Sequence, residues 1–175
     1  VFAPELRRML LGLNRQAPFE RLRRQLSTEI SASRNFDELL VAIETLAETR
    51  TGAIIVLQGS SDLSSIIESG DRINADVSKR LLMSVFNPKS PLHDGAAIIK
   101  DNTLMAARCV LPISDDPDLP PELGLRHRSG LGVTEISDAA AIIVSEETGK
   151  VALASEGRLK RNLSQEELPQ FLKKF

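Results

Sequence analysis

The sequence predicts a single α/β domain in which a mixed central β-sheet is flanked by helices. Short apolar runs suited to buried strands alternate with stretches that have the 3.6-residue period of amphipathic helices. Two strand–turn–strand patterns, at residues 96–112 and 139–157, lie in the second half of the chain. The chain has 175 residues, 42% of them hydrophobic, which is enough to bury one core. We therefore expect one domain body, residues 35–175, preceded by a short N-terminal segment.

The N-terminal segment, residues 1–34, is basic. Its PELRRMLLGLNR stretch predicts a short helix, and the arginine-rich residues that follow predict a connector. Seven arginines against three glutamates give the segment a charge of +4, whereas the whole chain has a net charge of −2. This charge fits either a solvated helix face or a segment that lies against an anionic membrane surface.

The clearest helix of the domain body is predicted over residues 36–50. Apolar residues in FDELLVAIETLAETR recur at the spacing of one helical face. Asn35 is in position to act as N-cap, and Glu38 follows three residues later, as in a capping box. Gly52 is predicted to close the helix just past its last turn.

A short buried strand, AIIVLQ at residues 53–58, is predicted next. The polar stretches SSDLSSIIESG and DRINADVS then predict loops with one helical turn. SKRLLMSVF predicts a helix over residues 78–86. This helix should end before Pro88, because the residue that precedes a proline avoids the helical conformation.

Two hairpins and two helices complete the chain. The first hairpin joins AAIIK to TLMAARCVLP through an Asp-Asn turn, and the second joins AAAIIVSEE to KVALASEG through a Thr-Gly turn. Between them an acidic, proline-rich loop precedes a helix predicted from about Pro121 to Ile136. The last helix has Ser164 as its predicted N-cap and Glu167 three residues later.

The candidate chemistry begins at the start of the first hairpin. His93 and Asp94 follow a proline that restricts the local backbone, and Gly95 has no side chain to keep a phosphate or sugar away from the main chain. The strand that follows would hold this loop rigidly, as a functional site requires. The alternative is an ordinary Asp-Gly turn that enters a strand.

Two further groups of polar residues lie downstream. Arg126, His127 and Arg128 form a basic cluster, and the planar fork of arginine suits phosphate; in a helix the two arginines point in different directions. Glu146 ends a predicted buried strand and could bind a divalent ion together with a histidine. The alternatives are a solvated basic helix and an exposed turn. Taken together, the groups suit phosphoryl or nucleotidyl transfer.

Several other classes of protein do not fit the sequence. No segment matches the P-loop pattern G-x-x-x-x-G-K-[ST]. A single cysteine, Cys109, excludes a disulfide or a cysteine-based zinc site within one chain, and its apolar neighbours predict a buried thiol. The body of the domain is acidic and the basic run lies outside the motifs, which argues against a nucleic-acid partner.

The motifs resemble those of the diadenylate cyclase domain. LHDGAAII, followed by GLRHRSGLGVTEISDAAAIIVSEETGKV, is similar to the paired DGA and RHR motifs of that family. AIIVLQ, SKRLLMSVF, VLPIS, PPELG and the SEETG turn extend the resemblance to the membrane-tethered bacterial branch, over about residues 35–165. The resemblance implies synthesis of cyclic di-AMP from two ATP molecules, with release of two pyrophosphates.

The resemblance also implies roles for individual residues. Asp94 would activate the ribose 3′-hydroxyl, and Arg128 would act in catalysis on the nucleotide of a facing subunit. His93 and Glu146 would hold a divalent metal ion, Mn²⁺, Mg²⁺ or Co²⁺. Substrate contacts are implied for Gly95, Ala96, Leu111, Leu125, Arg126, His127, Arg128, Ser129 and Ser145.

The expected product has consequences for assembly. Each 3′-oxygen must attack the α-phosphate of the other nucleotide, so two sites must face each other in a homodimer. The basic N-terminal segment fits a tether to a membrane anchor upstream, with the domain at the cytoplasmic face of the cell membrane. Protein regulators are possible partners that the sequence does not identify.

One departure from the family keeps other functions open. The family commonly has threonine directly before RHR, where this chain has Leu125. Loss of one hydrogen bond to a charged group costs about 1.5–3 kcal/mol, so nucleotide binding would weaken. A catalytically weak module that binds adenine nucleotides or cyclic dinucleotides is therefore the alternative, and a metal-dependent phosphohydrolase is a third reading.

Overall fold

The computed structural model describes residues 36–164 and 166–175, which belong to one compact unit, Asn35–Phe175. The predicted N-terminal helix and connector, and Asn35 as an N-cap, lie outside the described residues. Within them, the expected class is confirmed: a mixed β-sheet flanked by helices.

The sheet has seven strands among the described residues, in the order β2-β4-β3-β1-β5-β6-β7. The strands are β1 Ala53–Leu57, β2 Asp71–Asp76, β3 Ala96–Lys100, β4 Thr103–Cys109, β5 Ala140–Val144, β6 Val151–Ser155 and β7 Arg158–Lys160. The helices are α1 over 36–48, α2 Ser64–Glu68, α3 Lys79–Val85, α4 Leu125–Glu135 and α5 Glu167–Leu172. Strand β1 is central, parallel to β3 and antiparallel to β5.

A hydrophobic cluster lies on each face of the sheet, because successive side chains of a strand point to opposite faces. In β1, Ile55 belongs to one cluster and both Ile54 and Val56 belong to the other. Helices α1, α3 and α5 cover the first face, whereas α2 and α4 cover the second. All five residues of β1 are buried, as expected for a strand with cores on both sides.

Both predicted hairpins are confirmed. β3 pairs with β4 and β5 pairs with β6, each pair antiparallel. In the first turn, Asp101 and Asn102 have φ values of 44° and 72°. Two successive residues with positive φ characterise the tight hairpin turns that match the twist of the sheet, and Asp and Asn tolerate this conformation.

The prediction of a loop over DRINADVS was wrong, since Asp71–Asp76 forms β2. This strand lies at one edge of the sheet and pairs only with β4. Its residues alternate between partly buried and exposed positions, and most of them are polar. An edge strand of this composition lacks the apolar run that identifies an interior strand. The short edge strand β7 was not predicted for the same reason.

Two predicted helix ends differ from the structure. Arg50, with φ 49°, takes the left-handed position after α1, and the Thr51 amide donates to the Leu46 carbonyl at 2.8 Å. These features define a Schellman motif. The expectation that Gly52 closes the helix was therefore wrong. Helix α4 begins at Leu125 rather than near Pro121, so the basic cluster occupies its first turn.

The C-terminal helix α5 is fixed by a carboxylate. Glu166, not the predicted Ser164, is in the N-cap position, but Glu167 Oε2 accepts from the Ser164 amide at 2.8 Å. Lys160 Nζ donates to the other carboxylate oxygen at 2.5 Å. The hydrogen bond from Lys160, followed by those from Ser164, lowers the pKa of Glu167 from 4.5 to about 2.

This lowered pKa predicts an acid-sensitive contribution to stability. The contribution is fully present above pH 4.5, the value in the unfolded chain, and is lost as pH falls through about 2. In Glu167→Gln we expect a lower thermal unfolding midpoint at neutral pH and a difference from wild type that shrinks below pH 4.5. Glu166→Gln removes the same charge from the adjacent position and is the control. A constant difference for Glu167→Gln across this pH range would contradict the prediction.

Candidate functional site

Three segments distant in sequence meet at one end of the sheet. Ile54 of β1 pairs with Ala96 of β3 in parallel, and Ala53 of β1 pairs with Val144 of β5 in antiparallel. The loop before β3, the residue before β1 and the residues after β5 are therefore neighbours. The helix α4 packs against β5 from the second face of the sheet.

A cavity of about 560 Å³ opens at this end of the sheet. Ten of the twelve residues proposed from the sequence line it, and two do not. His93 and Arg128 are the two that lie outside its lining. The ten are Asp94, Gly95, Ala96, Leu111, Leu125, Arg126, His127, Ser129, Ser145 and Glu146.

The loop before β3 is held by local hydrogen bonds. The Ser90 carbonyl lies 2.7 Å from His93 Nδ1, and because a carbonyl only accepts, this nitrogen carries the proton. Nε2 is therefore the ring nitrogen that the Ser90 carbonyl does not engage. The next residue, Asp94, is exposed at the mouth of the cavity.

Gly95 is required by its conformation and by its neighbour. Its φ is +147°, and a Cβ there would lie 2.6 Å from the Arg108 carbonyl carbon. Arg108 itself has φ 57° and donates from Nε to Asp71 Oδ2 at 2.7 Å. The backbone at Gly95 and the backbone at Arg108 can therefore approach this closely only because Gly95 has no side chain.

Arg108 is a cation close to Asp94 that the sequence motifs did not indicate. The hydrogen bond that Arg108 donates to Asp71 raises the pKa of Arg108, and the nearby charge of Asp94 acts in the same direction. The signal in the sequence was an arginine inside the otherwise apolar run MAARCVLP. That pattern predicted a strand, but it gave no indication of what would lie next to the arginine.

The first turn of α4 carries the basic cluster and directs its members apart. Arg126 and His127 line the cavity, whereas Arg128 does not, as the 100° step between helical residues predicts. The Arg128 carbonyl accepts from the Ser114 amide at 3.0 Å, which ties the start of α4 to the segment after β4. Leu125 is 71% exposed at the rim of the cavity.

Arg126 and Glu146 form an ion pair with each other. Arg126 Nη1 lies 2.5 Å from Glu146 Oε2, and the two side chains are 28% and 58% exposed. The sequence motifs implied phosphate as the partner of Arg126 and a metal ion as the partner of Glu146, and gave no indication that the two side chains would meet. No cluster of three or more His, Cys, Asp or Glu side chains suited to a metal ion occurs within residues 36–164 and 166–175.

Burial controls the charge of two other groups that line the cavity. It lowers the pKa of His127, an effect reinforced by Arg161 and Arg126 and opposed by Glu147. Burial also raises the pKa of Cys109 to about 11, so the thiol stays protonated, as expected of a structural cysteine. Neither group therefore adds charge to the cavity at neutral pH.

The segment after β4 contributes apolar side chains to the cavity lining. Leu111 is buried, while Val110 before it and Ile113 after it are 70% and 53% exposed. Ser145, which also lines the cavity, accepts with its hydroxyl from the Thr148 amide and so belongs to the β5–β6 turn. The cavity is thus lined by both apolar and polar side chains.

A family model described as DisA bacterial checkpoint controller nucleotide-binding, abbreviated DAC, matches residues 40–159. The chain belongs to the DAC family. The resemblance drawn from the DGA and RHR motifs is confirmed by this match.

Other DAC proteins are similar over nearly the whole chain. The cyclic di-AMP synthase CdaA of Bacillus subtilis is 41% identical over 98% of this chain and 62% of its own length. A diadenylate cyclase of Listeria monocytogenes is 41% identical over 99% of this chain and 63% of its own length. The chain therefore spans just under two thirds of the length of these relatives.

Solved structures also share the DAC fold. The crystal structure of a double mutant of DacA from Staphylococcus aureus has a TM-score of 0.80 and 39% identity, and the match covers 81% of this chain and 95% of that one. A hypothetical membrane spanning protein from Bacillus cereus has a TM-score of 0.71 and 38% identity, over 74% and 64% of the two chains. In the part of this chain that the structure describes, every helix is too short or too polar to cross a bilayer.

The geometry at Gly95 predicts that Gly95→Ala destabilises the domain. The added Cβ would clash with the backbone of Arg108, and the φ of +147° is strained for any other residue. We expect a loss of about 1–3 kcal/mol in the free energy of unfolding, measured by urea denaturation. Gly124→Ser is the control, because a Cβ there meets nothing within 4 Å. A Gly95→Ala variant as stable as wild type would contradict the prediction.

Proposed function

We propose that this chain is a diadenylate cyclase that condenses two ATP molecules into cyclic di-AMP and two pyrophosphates. The observation that carries the proposal is that ten residues expected from the family motifs line one cavity. Relatives that are named cyclic di-AMP synthase or diadenylate cyclase and are 41% identical support the choice of reaction.

In this proposal, the apolar and the charged residues that line the cavity bind different parts of ATP. Leu111 and the exposed aliphatic side chains beside it would contact adenine, and the absence of Trp and Tyr leaves this task to aliphatic groups. Gly95 and Ala96 are small, so the nucleotide would lie close to the backbone there. Arg126 would donate to phosphate oxygens, since Glu146 engages only one of its nitrogens in the ion pair. His127, Ser129, Ser145 and Leu125 would complete the lining.

Asp94 would act as the general base. Its carboxylate is exposed at the cavity and would accept the proton of the ribose 3′-hydroxyl. The 3′-oxygen would then form a bond to the α-phosphorus of the other ATP, while the bond from that phosphorus to pyrophosphate breaks. Two such reactions close the ring.

We propose that the reaction uses a divalent cation, Mn²⁺, Mg²⁺ or Co²⁺. His93 and Glu146 would hold it. The hydrogen bond from His93 Nδ1 to the Ser90 carbonyl is the kind that orients histidine ligands and leaves Nε2 available. The ion would neutralise charge on the triphosphate.

The reaction requires a second copy of the chain. One cavity of this size would hold one ATP, so its 3′-oxygen needs an α-phosphate presented by a facing site. Arg128 does not line the cavity of its own chain, which is consistent with the role proposed for it on the nucleotide of the partner. The apolar rim at Val110, Ile113 and Leu125 adds exposed surface that association could cover.

The location proposed for this domain is the cytoplasmic face of the cell membrane. Support comes from the +4 charge of residues 1–34 and from the Bacillus cereus neighbour, which is described as membrane spanning. An anchor upstream of this chain and protein regulators belong to the same proposal.

A nucleotide-binding module is the second candidate, favoured by the exposed Leu125 where the family commonly has threonine. One experiment separates the candidates: the chain is incubated with ATP and Mn²⁺, and the products are identified by mass. Cyclic di-AMP supports the proposed cyclase. Bound but unreacted ATP supports the binding module, and AMP or ADP supports a phosphohydrolase.

The role of Asp94 predicts that Asp94→Asn loses activity without losing ATP. The amide keeps the shape but cannot accept the proton, and general base catalysis contributes about 10²–10⁴-fold. We expect the rate of product formation to fall by at least that factor while calorimetry still detects ATP binding. Asp101→Asn makes the same change in the turn at the other end of β3 and is expected to keep wild-type activity. Near-normal turnover by Asp94→Asn would exclude Asp94 as the base.

The need for two sites predicts that activity depends on protein concentration. Specific activity should fall steeply when the protein is diluted below the dissociation constant of the dimer, because isolated sites lack their reaction partner. Sedimentation at the same concentrations gives the fraction of dimer. A monomer with constant specific activity would refute the two-site mechanism.

A further inference from the structure

We infer that Gly52 is a positioning residue of the site, where its lack of a side chain lets the Arg126–Glu146 ion pair lie across the start of β1. The inference rests on the proposed function and deepens it. Gly52 directly precedes Ala53, the residue of β1 that pairs with Val144, and Glu146 follows Val144 by two residues. Gly52 therefore lies at the point where the three segments of the site converge.

The backbone does not explain why position 52 is glycine. Arg50 already takes the left-handed conformation that ends α1, and Gly52 is not among the residues with positive φ. Alanine could adopt the same backbone conformation without strain. Turn geometry is therefore not the reason for a glycine here.

Space for side chains does explain it. A Cβ on Gly52 would lie 2.8 Å from Arg126 Cζ, 2.9 Å from Arg126 Nη1 and 2.9 Å from Glu146 Oε2. These three atoms are its nearest neighbours, and all belong to the two charged groups of the ion pair. Gly52 is buried beneath the pair and forms the surface on which it lies.

The crowded atoms determine what a substitution would do. Most crowded glycines of the domain meet backbone; at Gly132, for example, a Cβ would lie 2.3 Å from the Pro112 carbonyl oxygen. At Gly52 the three nearest atoms are the ends of two flexible side chains, which can move, so we expect the fold to tolerate alanine. The guanidinium must retreat by more than half an ångström to reach an ordinary contact distance of 3.4 Å. Displacements of this size are enough to misplace groups that bind a substrate.

The first experiment separates function from stability with two matched variants. Gly52→Ala should leave the thermal unfolding midpoint close to that of wild type and lower kcat/KM for ATP about tenfold, as one weakened charge-assisted hydrogen bond would. Gly59→Ala makes the same change at the other end of β1, where a Cβ would lie 2.7 Å from the Asp138 carboxyl carbon and 2.9 Å from the Asp138 carbonyl oxygen. Asp138 accepts the amides of Ser60 and Ser61, so Gly59→Ala should lower the midpoint and keep kcat/KM.

The second experiment tests whether Gly52 acts through Arg126. Calorimetry with ATP in EDTA measures nucleotide binding without turnover. Gly52→Ala should weaken binding about tenfold in the wild-type background and less than twofold in an Arg126→Ala background, because the group it displaces is then absent. Equal losses in both backgrounds, or no loss in either, would overturn the inference, as would a fall in the unfolding midpoint that matches Gly59→Ala. If wild type binds ATP but forms no cyclic product, the proposed cyclase reaction is refuted. The comparison of ATP affinities in the two backgrounds still tests the role of Gly52 in that case.

Discussion

The site depends on the position of β1 in the sheet. This strand has a parallel neighbour on one side and an antiparallel neighbour on the other. The start of β3 and the end of β5 therefore lie at the same end of the sheet as the start of β1. Its side chains enter two separate cores, and a shift of register by one residue would exchange them between the faces. The hydrophobic packing of the domain therefore fixes the relative positions of Asp94 and Glu146, which are far apart in sequence.

Two charged residues that line the cavity, Arg126 and Glu146, form an ion pair with each other. Arg126 comes from a helix on one face of the sheet, and Glu146 comes from the turn after β5. A pair that is partly exposed contributes little to folding, so we propose that it serves to orient the guanidinium and the carboxylate. Gly52 adds a steric condition to this arrangement, because a side chain at position 52 would occupy the space in which the two charged groups meet.

Local signals in the sequence predicted much of the fold. The short apolar runs on either side of turn residues identified both hairpins, and Asp101 with Asn102 supplied the turn chemistry between β3 and β4. Edge strands β2 and β7 were missed because they bury too little apolar surface to leave a pattern.

The residue types of the site were also predictable, but their contacts were not. Asp94 and Glu146 line one cavity as the motifs indicated. The pairing of Arg126 with Glu146, the closeness of Arg108 to Asp94 and the space reserved by Gly52 all arise from long-range packing. Gly52 was read as a helix terminator because sequence alone cannot distinguish a glycine needed for its backbone from one needed for the room it leaves.

The polar edge strands have a consequence of their own. Charged residues lie along both open borders of the sheet: Arg72 and Asp76 on β2, and Arg158 and Lys160 on β7. Charged borders oppose the addition of a foreign strand, so pairing of this sheet with a strand of another molecule is disfavoured at both borders.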